Sequence, residues 1–442
     1  MGRDMKIWYT VTTIIAVLAL AGCLSPGPVA TEETLQTSTP QSSPSPSLQT
    51  SGLLAYIGSD GNVWATSPGQ GWTQQVTNDA TAPPEGQGRS YHRLAWSRDG
   101  ALAFAAVTRS GDDARGELYL QQTLDRPPQL VARNDERFFI YLYTSPRSYS
   151  RPSAWPSLTY LIEEENGVGL HLLTREEDSF QDLLLTVGRP VYFSWSPDEQ
   201  VILWHTGGTL RDNPAAEIGL YDVDAGRRRL LPYAPGAFLS PAWSPRGEDW
   251  LAVVALDGQD RLQHITANRI NTLAETDGQE IAFAWSPSGR QVAYAVRESK
   301  TPSFYGPIRV VNLEDGKTEQ VTRHAFNVLG FFWSPDGRRI AYLSRLDLPN
   351  AVWMQWRVFD LTESRDRGFT AFHPTPLMRF IVHSFSQYAQ SHRFWSPNGR
   401  YLLYADRDDQ GMDRVWIVDT KAEQGTDPIL VDEGSTAVWS WR

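Results

Sequence analysis

The chain has 442 residues, a formal net charge of −11, 17 tryptophans and a single cysteine. Binding to nucleic-acid backbones rests on clustered Lys and Arg, and an acidic chain without a basic run lacks that feature, so we expect no nucleic-acid partner. One cysteine can form no internal disulfide, which excludes the small disulfide-stapled scaffolds.

Residues 1–22 are predicted to be a lipoprotein signal peptide. Two basic residues precede an apolar run that ends at Cys23, and this run is too short for a confident membrane span. The quartet LAGC at residues 20–23 resembles the bacterial lipobox, in which the cysteine receives a diacylglycerol. The resemblance implies that Cys23 is lipidated and anchors the protein to a membrane, on the extracytoplasmic side of a bacterial cell envelope. An ordinary signal peptide with an incidental cysteine is the alternative.

The next segment, residues 23–51, is rich in Ser, Thr and Pro and has few apolar residues. Such a composition cannot bury enough surface to fold, so it predicts a semi-extended, lipidated tether. The folded domain is therefore expected to begin at Gly52.

Residues 52–442 show short runs rich in Val, Ile, Tyr, Phe and Trp between Gly, Pro and Asp turns, and no convincing helix. One phrase recurs, most completely as Trp-Ser-Pro-Asp-Gly at Trp333 and with Asn for Asp at Trp395. The residues before Trp form a strand, Pro ends its pairing, and Asp-Gly supplies a tight reversal into a second strand. A repeat of roughly forty to fifty residues is typical of a β-propeller.

The phrase resembles the signature of the TolB-like family of WD-type propeller repeats, and the likeness covers nearly all of residues 52–442. It implies one ring of four-stranded antiparallel blades, with each repeated tryptophan packed between neighbouring blades. The repeated Ser, Asp and Trp are therefore expected to be structural and not catalytic.

The spacing of the anchors predicts eight blades. The wide gap between Trp96 and Trp195 needs one more anchor, for which Thr144 gives more even spacing than Trp155. The C-terminal strand, ending at Trp439, is expected to pair with the N-terminal strands and close the ring. Seven blades is the alternative, if the unit at Thr144 is an insertion. The anchors are Trp96, Thr144, Trp195, Trp243, Trp285, Trp333, Trp395 and Trp439.

The candidate binding site is the crossover between Phe372 and Arg393, because the longest spacing between anchors falls there and it carries three of the eight histidines. Trp and Arg are frequent in interface hot spots. The alternative is that this crossover only caps the ring. The candidate residues are His373, Arg379, His383, Tyr388, His392, Arg393, Trp353 and Trp356.

The function must depend on residues outside the repeated phrase, because the phrase serves the fold. The sequence has no G-x-S-x-G elbow and no H-E-x-x-H motif, and its one calcium-like stretch, at residues 406–413, lacks the final glutamate. We therefore expect no catalytic residue, metal or cofactor. The first hypothesis is a monomeric, lipid-anchored binding or scaffolding module for a protein, peptide or glycan. The second is a hydrolase or lyase that acts on a cell-surface polymer in the axial funnel.

Overall fold

The computed structural model describes residues 48–442 apart from residues 51, 84–85, 147–154, 209–212, 214, 299–303, 323–326, 349–350 and 424. The predicted signal peptide, Cys23 and all but residues 48–50 of the predicted tether lie outside the described residues. In the described part of the chain, no helix has the length and apolar character to span a bilayer.

The described chain is built almost wholly from antiparallel strands. The first sheets contain β1 (Leu54–Gly58), β2 (Val63–Ser67), β3 (Trp72–Gln75), β4 (Gly88–Trp96), β5 (Leu102–Ser110), β6 (Asp113–Gln121), β7 (Gln129–Asn134), β8 (Phe139–Thr144), β9 (Leu158–Glu164), β10 (Gly167–Glu176), β11 (Ser179–Gly188), β12 (Val191–Trp195), β13 (Val201–Thr206), β14 (Glu217–Asp222) and β15 (Arg227–Leu230).

The second half continues the same pattern and adds two short helices. Its elements are β16 (Ala242–Trp243), β17 (Asp249–Leu256), β18 (Gln259–Thr266), β19 (Ile270–Thr276), β20 (Ile281–Trp285), β21 (Gln291–Val296), β22 (Arg309–Asn312), β23 (Thr318–Gln320), β24 (Val328–Trp333), β25 (Arg339–Leu348), β26 (Ala351–Asp360), β27 (Arg365–Phe372), α1 (Pro376–His383), α2 (Phe385–Ser391), β28 (Tyr401–Arg407), β29 (Asp413–Asp419) and β30 (Ile429–Trp439).

The sheets are the blades of a β-propeller, as the sequence predicted. The strands of the described residues form seven sheets: six hold four consecutive strands, and one holds six in the order β28-β29-β30-β1-β2-β3. Counted as hydrogen-bonded sheets, the number is the stated alternative of seven rather than the preferred eight, although the unit at Thr144 is a full four-stranded sheet and not an insertion. The reason lies in β30, which is continuous and joins two sequence repeats in one sheet.

The C-terminal strand closes the ring, as expected. The first part of β30 pairs with β29, from Ile417↔Ile429 to Arg414↔Glu433. Its second part pairs with β1, from Gly58↔Gly434 to Leu54↔Trp439. The last part of the chain therefore supplies the inner edge of the sheet that the first described strands begin.

Five of the repeated tryptophans donate a hydrogen bond to the preceding blade, which agrees with the predicted position between neighbouring blades. In four repeats the indole N–H donates to the backbone carbonyl of the residue just before the preceding anchor, at 3.1–3.3 Å. Trp195 differs, because the preceding anchor is Thr144, and it donates to Thr159 Oγ1 at 2.9 Å. The four regular pairs are Trp96–Val438, Trp285–Ala242, Trp333–Ala284 and Trp395–Phe332.

The hairpin after each anchor also has a physical basis. Ser334 Oγ donates to Asp336 Oδ1 at 2.5 Å and accepts from the N–H of Arg339 at 3.0 Å, which fixes the turn. Gly337 has φ +69°, a left-handed conformation that favours glycine. Glu199 occupies the same turn position in the copy at Trp195 and adopts φ +65°. Trp155 lies between β8 and β9, whereas Thr144, the preferred anchor, ends β8.

Candidate functional site

The crossover after β27 folds as two helices, although the sequence showed no convincing helical pattern. Thr375 Oγ1 accepts a hydrogen bond from the N–H of Met378 at 3.2 Å, and Pro376 begins α1, a favourable first position. Met378, Ile381 and Val382 are buried, which matches a helical spacing of three and four residues. The signal was missed because the apolar stripe is only two turns long.

These helices insert among the innermost strands of several blades. α1 contacts β24 and β30, and α2 contacts β12, β20 and β24. Thr375 Oγ1 donates to the carbonyl of Ser435, and Tyr141 Oη on β8 donates to Ser391 Oγ at 2.8 Å. Because innermost strands converge on the axis of a propeller, residues 376–391 fill that axis, and we call them the axial plug.

Apolar packing holds one side of the plug. The Phe385 ring is fully buried against Tyr305, Phe331 and Phe332, with ring centroids 5.1–6.0 Å apart. A Cβ on Gly330 would lie 2.8 Å from Phe385 Cγ, so this close approach requires glycine.

A buried amide holds the other side. Gln387 is 2% exposed, and its side chain accepts from the N–H of Phe193 at 3.0 Å and donates to the Phe193 carbonyl at 3.1 Å. Gln390 Nε2 donates to the same carbonyl at 3.2 Å and to Ser240 Oγ at 2.7 Å. These contacts attach α2 to two neighbouring blades.

Three of the predicted binding residues are buried, so the expectation that they contact a partner is corrected. Trp356 is 0% exposed and donates to the carbonyl of Leu403, while Tyr388 and His392 are 6% and 3% exposed. Burial lowers the pKa of His392 to about 4, so this imidazole is neutral near pH 7. Tyr388 and His392 line an internal cavity of about 10 Å³, the space of roughly one water molecule.

The other predicted residues separate into three places. Arg379 and His383 are exposed on α1, and His373 and Trp353 are half-buried near one another, with ring centroids 6.1 Å apart. Trp353 and Trp356 lie on β26, within a long hairpin with β25. Arg393 is apart from these residues and packs on the ring of Trp441.

A larger concave surface lies between the first two consecutive blades. We call it the inter-blade groove; it has a volume of about 510 Å³. One wall follows β3, and the other includes β6 and the turn after it. Gln74 Nε2 donates across the groove to the carbonyl of Leu124 at 2.7 Å. The lining comprises residues 74–79, 91, 119, 121 and 124–128.

An ion-pair network supports one wall of this groove, which Asp79, Tyr91 and Tyr119 line. Arg89 on β4 pairs with Asp79 at 2.9 Å and with Glu117 on β6 at 2.5 Å. Tyr91 Oη donates to Asp79 at 2.6 Å, and Tyr119 Oη donates to Glu117 at 2.9 Å. One guanidinium thus joins the segment after β3 to two strands of the next blade and fixes the groove's shape.

The network also sets the charge of these groups. Burial raises the pKa of Glu117, but the hydrogen bonds from Arg89 and Tyr119 outweigh burial and hold the pKa below its ordinary 4.5. Burial, and then the hydrogen bond to Asp79, raise the pKa of Tyr91. At neutral pH Glu117 is therefore ionised and the Tyr91 phenol is neutral.

Several polar groups in the groove face solvent or lack a partner. The side chains of Gln75, Asn78 and Asp79 are exposed. Gln121 is 2% exposed; its Nε2 donates to the carbonyl of Arg126 at 2.7 Å, while its Oε1 has no hydrogen-bond partner among the described residues. Sequence reasoning missed this site, and its one available signal was the unrepeated segment between β3 and β4.

The comparisons with known proteins bear on the fold. No family model matches the chain, and no curated protein matches it in sequence. Among solved structures, a eukaryotic initiation factor is similar over 88% of this chain and 98% of its own, at 12% identity and a TM-score of 0.51. This likeness agrees with the propeller fold.

Two bacterial structures are similar with lower TM-scores. TolB from Acinetobacter baumannii is 15% identical over 76% of this chain and 81% of its own, with a TM-score of 0.38. A periplasmic gluconolactonase from Pseudomonas aeruginosa is 15% identical over 72% of this chain and 95% of its own, with a TM-score of 0.42. At these values neither structure bears on what this chain binds.

Proposed function

We propose that this protein is a lipid-anchored, extracytoplasmic binding module of a bacterial cell envelope, and that the inter-blade groove binds a cell-surface glycan. The observation that carries the proposal is the groove itself, which a partly buried ion-pair network shapes and whose walls present amides, carboxylates and phenols. The lipobox at Cys23 supports the anchoring.

The lining favours a polar ligand. Small-molecule pockets are mostly apolar with few polar groups, whereas this groove carries amides at residues 74, 75, 78 and 121 and carboxylates at residues 79 and 125. Planar amides and carboxylates each offer paired donors or acceptors, which suit neighbouring sugar hydroxyls. Pro127 and Pro128 give apolar surface for the C–H faces of a sugar ring.

A peptide fits the groove less well. Peptides often add as a strand to an exposed sheet edge, and β3 is such an edge. Here the Gln74 side chain crosses from β3 to the carbonyl of Leu124, which obstructs that edge. Protein hot spots are enriched in aromatic and arginine anchors in buried pockets, whereas the exposed residues of this lining are mostly amides and acids, with Arg126 and Pro127 beside them.

The enzyme hypothesis placed convergent carboxylates and histidines at the ring axis. Among the described residues, the axial plug instead brings Phe385, Gln387 and Tyr388 to that region, and their hydrogen bonds and packing are directed at the blades. The binding hypothesis therefore remains the proposal.

A glycan array tests it with full-length protein in detergent micelles. We expect saturable binding to at least one array glycan, and we expect Gln75→Ala with Asn78→Ala to weaken it about tenfold or more, since two exposed amides are lost. Gln410→Ala is the matched control, because Gln410 is also an exposed amide but lies in a distant hairpin.

Two results would contradict the proposal: wild-type protein that binds no array glycan, or a double variant that binds as wild type does. Binding to an immobilised peptide library that is lost in the same double variant would assign the groove to peptides instead.

A further inference from the structure

We propose that Arg98, Arg393 and Trp441 form a second ligand site, which binds an oxyanion: a carboxylate or a phosphate group. The site is separate from the inter-blade groove and does not depend on the function proposed for it. The guanidinium carbons of Arg393 and Arg98 lie 4.3 Å and 4.8 Å from the centre of the Trp441 ring. Two cations are thus brought to one indole.

Four repeats supply this site. Arg98 belongs to the turn that follows β4, and Arg393 precedes the anchor Trp395. Trp441 follows β30, and its indole N–H donates to the carbonyl of Trp96 at 2.8 Å, which fixes the ring in place. Tyr143, near the end of β8, is 5% exposed and also lies close enough to both guanidinium groups to interact with them. These positions are the ends of innermost strands, so the site lies where strands converge on the axis.

The charges of the site are unbalanced. In the part of the chain that the structure describes, no ion pair joins Arg98 or Arg393 to a carboxylate, whereas the half-buried Arg89 and Arg357 each pair with one. Burial, and then the neighbouring Arg98, lower the pKa of Arg393 to about 10. The Tyr143 phenol is the other titratable group acting on Arg393.

An unpaired, half-buried guanidinium beside a second cation is costly, and stacking on an indole offsets only part of that cost. A carboxylate or phosphate offsets the rest, because its oxygens match the fork of N–H donors on a guanidinium. Arg98 is exposed, so a ligand can reach the pair from solvent. The Trp441 ring supplies a flat surface for the part of the ligand that carries the anion.

The test is a titration of full-length protein with inorganic phosphate and, separately, with D-glucuronate, at constant ionic strength. Binding is followed by calorimetry through the millimolar range. We expect saturable binding of at least one anion, and a dissociation constant at least about tenfold higher in Arg98→Gln with Arg393→Gln. Binding of glucuronate alone identifies a carboxylate site, and binding of phosphate alone a phosphate site.

Arg175→Gln is the matched control. Arg175 also stacks on an indole, 5.0 Å from the centre of Trp155, but it pairs with Asp178 at 3.5 Å, so its loss should leave anion binding unchanged. If the double variant does not fold, Arg98→Gln alone serves, because Arg98 is exposed on a turn. The proposal is overturned if wild type binds neither anion, or if the Arg98 variants bind as wild type does. The groove variants should bind the anion as wild type does, even if they no longer bind a glycan.

Discussion

Gln387 offers the sharpest test of the axial plug. On an innermost strand, alternate N–H groups point away from the sheet, and the N–H of Phe193 depends on Gln387 Oε1 at 3.0 Å. Gln387→Leu keeps a similar volume but leaves that buried N–H without an acceptor. An unsatisfied buried donor costs about 1–3 kcal/mol, so we expect the free energy of unfolding to fall by about that amount.

Gln390→Leu is the matched control on the same helix. It removes hydrogen bonds to the Phe193 carbonyl and to Ser240 Oγ, but Ser240 Oγ still donates to that carbonyl at 3.1 Å. No buried donor or acceptor is left without a hydrogen-bond partner, so the free energy of unfolding should fall by less than about 1 kcal/mol.

The assay is urea unfolding followed by tryptophan fluorescence and by far-UV circular dichroism. Coincident transitions and an unchanged slope are required before free energies are compared. If Gln387→Leu destabilises no more than Gln390→Leu does, the plug is not held as described.

Three further predictions concern closure, anchoring and pH. Deleting residues 436–442 removes most of the pairing between β30 and β1 and exposes an edge, so we expect aggregation in size-exclusion chromatography; a monomer with an unchanged melting temperature would refute closure. Cys23→Ala should move the protein from the membrane to the soluble fraction or leave it unprocessed, because the acyl chains supply the anchor; normal cleavage with membrane retention would count against the lipobox. Burial lowers the pKa of His171, but hydrogen bonds to Asp182 and Glu164 outweigh it and raise the pKa above 6.5. The free energy of unfolding of wild type should therefore exceed that of His171→Asn most below pH 6.5, and this difference should decline as pH rises. A difference that stays constant across pH would contradict this reasoning.

The repeated parts of the chain were predictable, because each copy of the phrase carries the same turn chemistry. Proline, Asp and Gly mark the hairpin, and a large indole at one position needs the space between two blades. The closing role of the last strand followed from the unpaired strands at the other end. The number of sheets did not follow, because no sequence feature shows that β30 runs unbroken from one repeat into the next.

The candidate site was less predictable, for two physical reasons. The crossover has the polar and aromatic composition of a binding surface, yet Gln387 and Tyr388 are directed inward, and only tertiary packing decides that direction. The inter-blade groove joins Asp79, Arg89 and Glu117, which lie on different strands, so their ion pairs appear only once the blades are assembled. Arg393 was among the predicted binding residues, although its neighbours Arg98 and Trp441 were not.

The central claim is that residues 376–391 are the core of the ring and that the ligand lies between the first two consecutive blades. Hydrogen–deuterium exchange of the full-length protein tests it most directly, measured with and without the glycan that the array selects. The account predicts slow exchange in residues 376–391 in both states, because Gln387 and Phe385 attach them to the innermost strands. It predicts that the glycan slows exchange in residues 74–79 and 119–128. Rapid exchange in residues 376–391 of the free protein, or protection by the glycan that appears there and not in the groove, would contradict it.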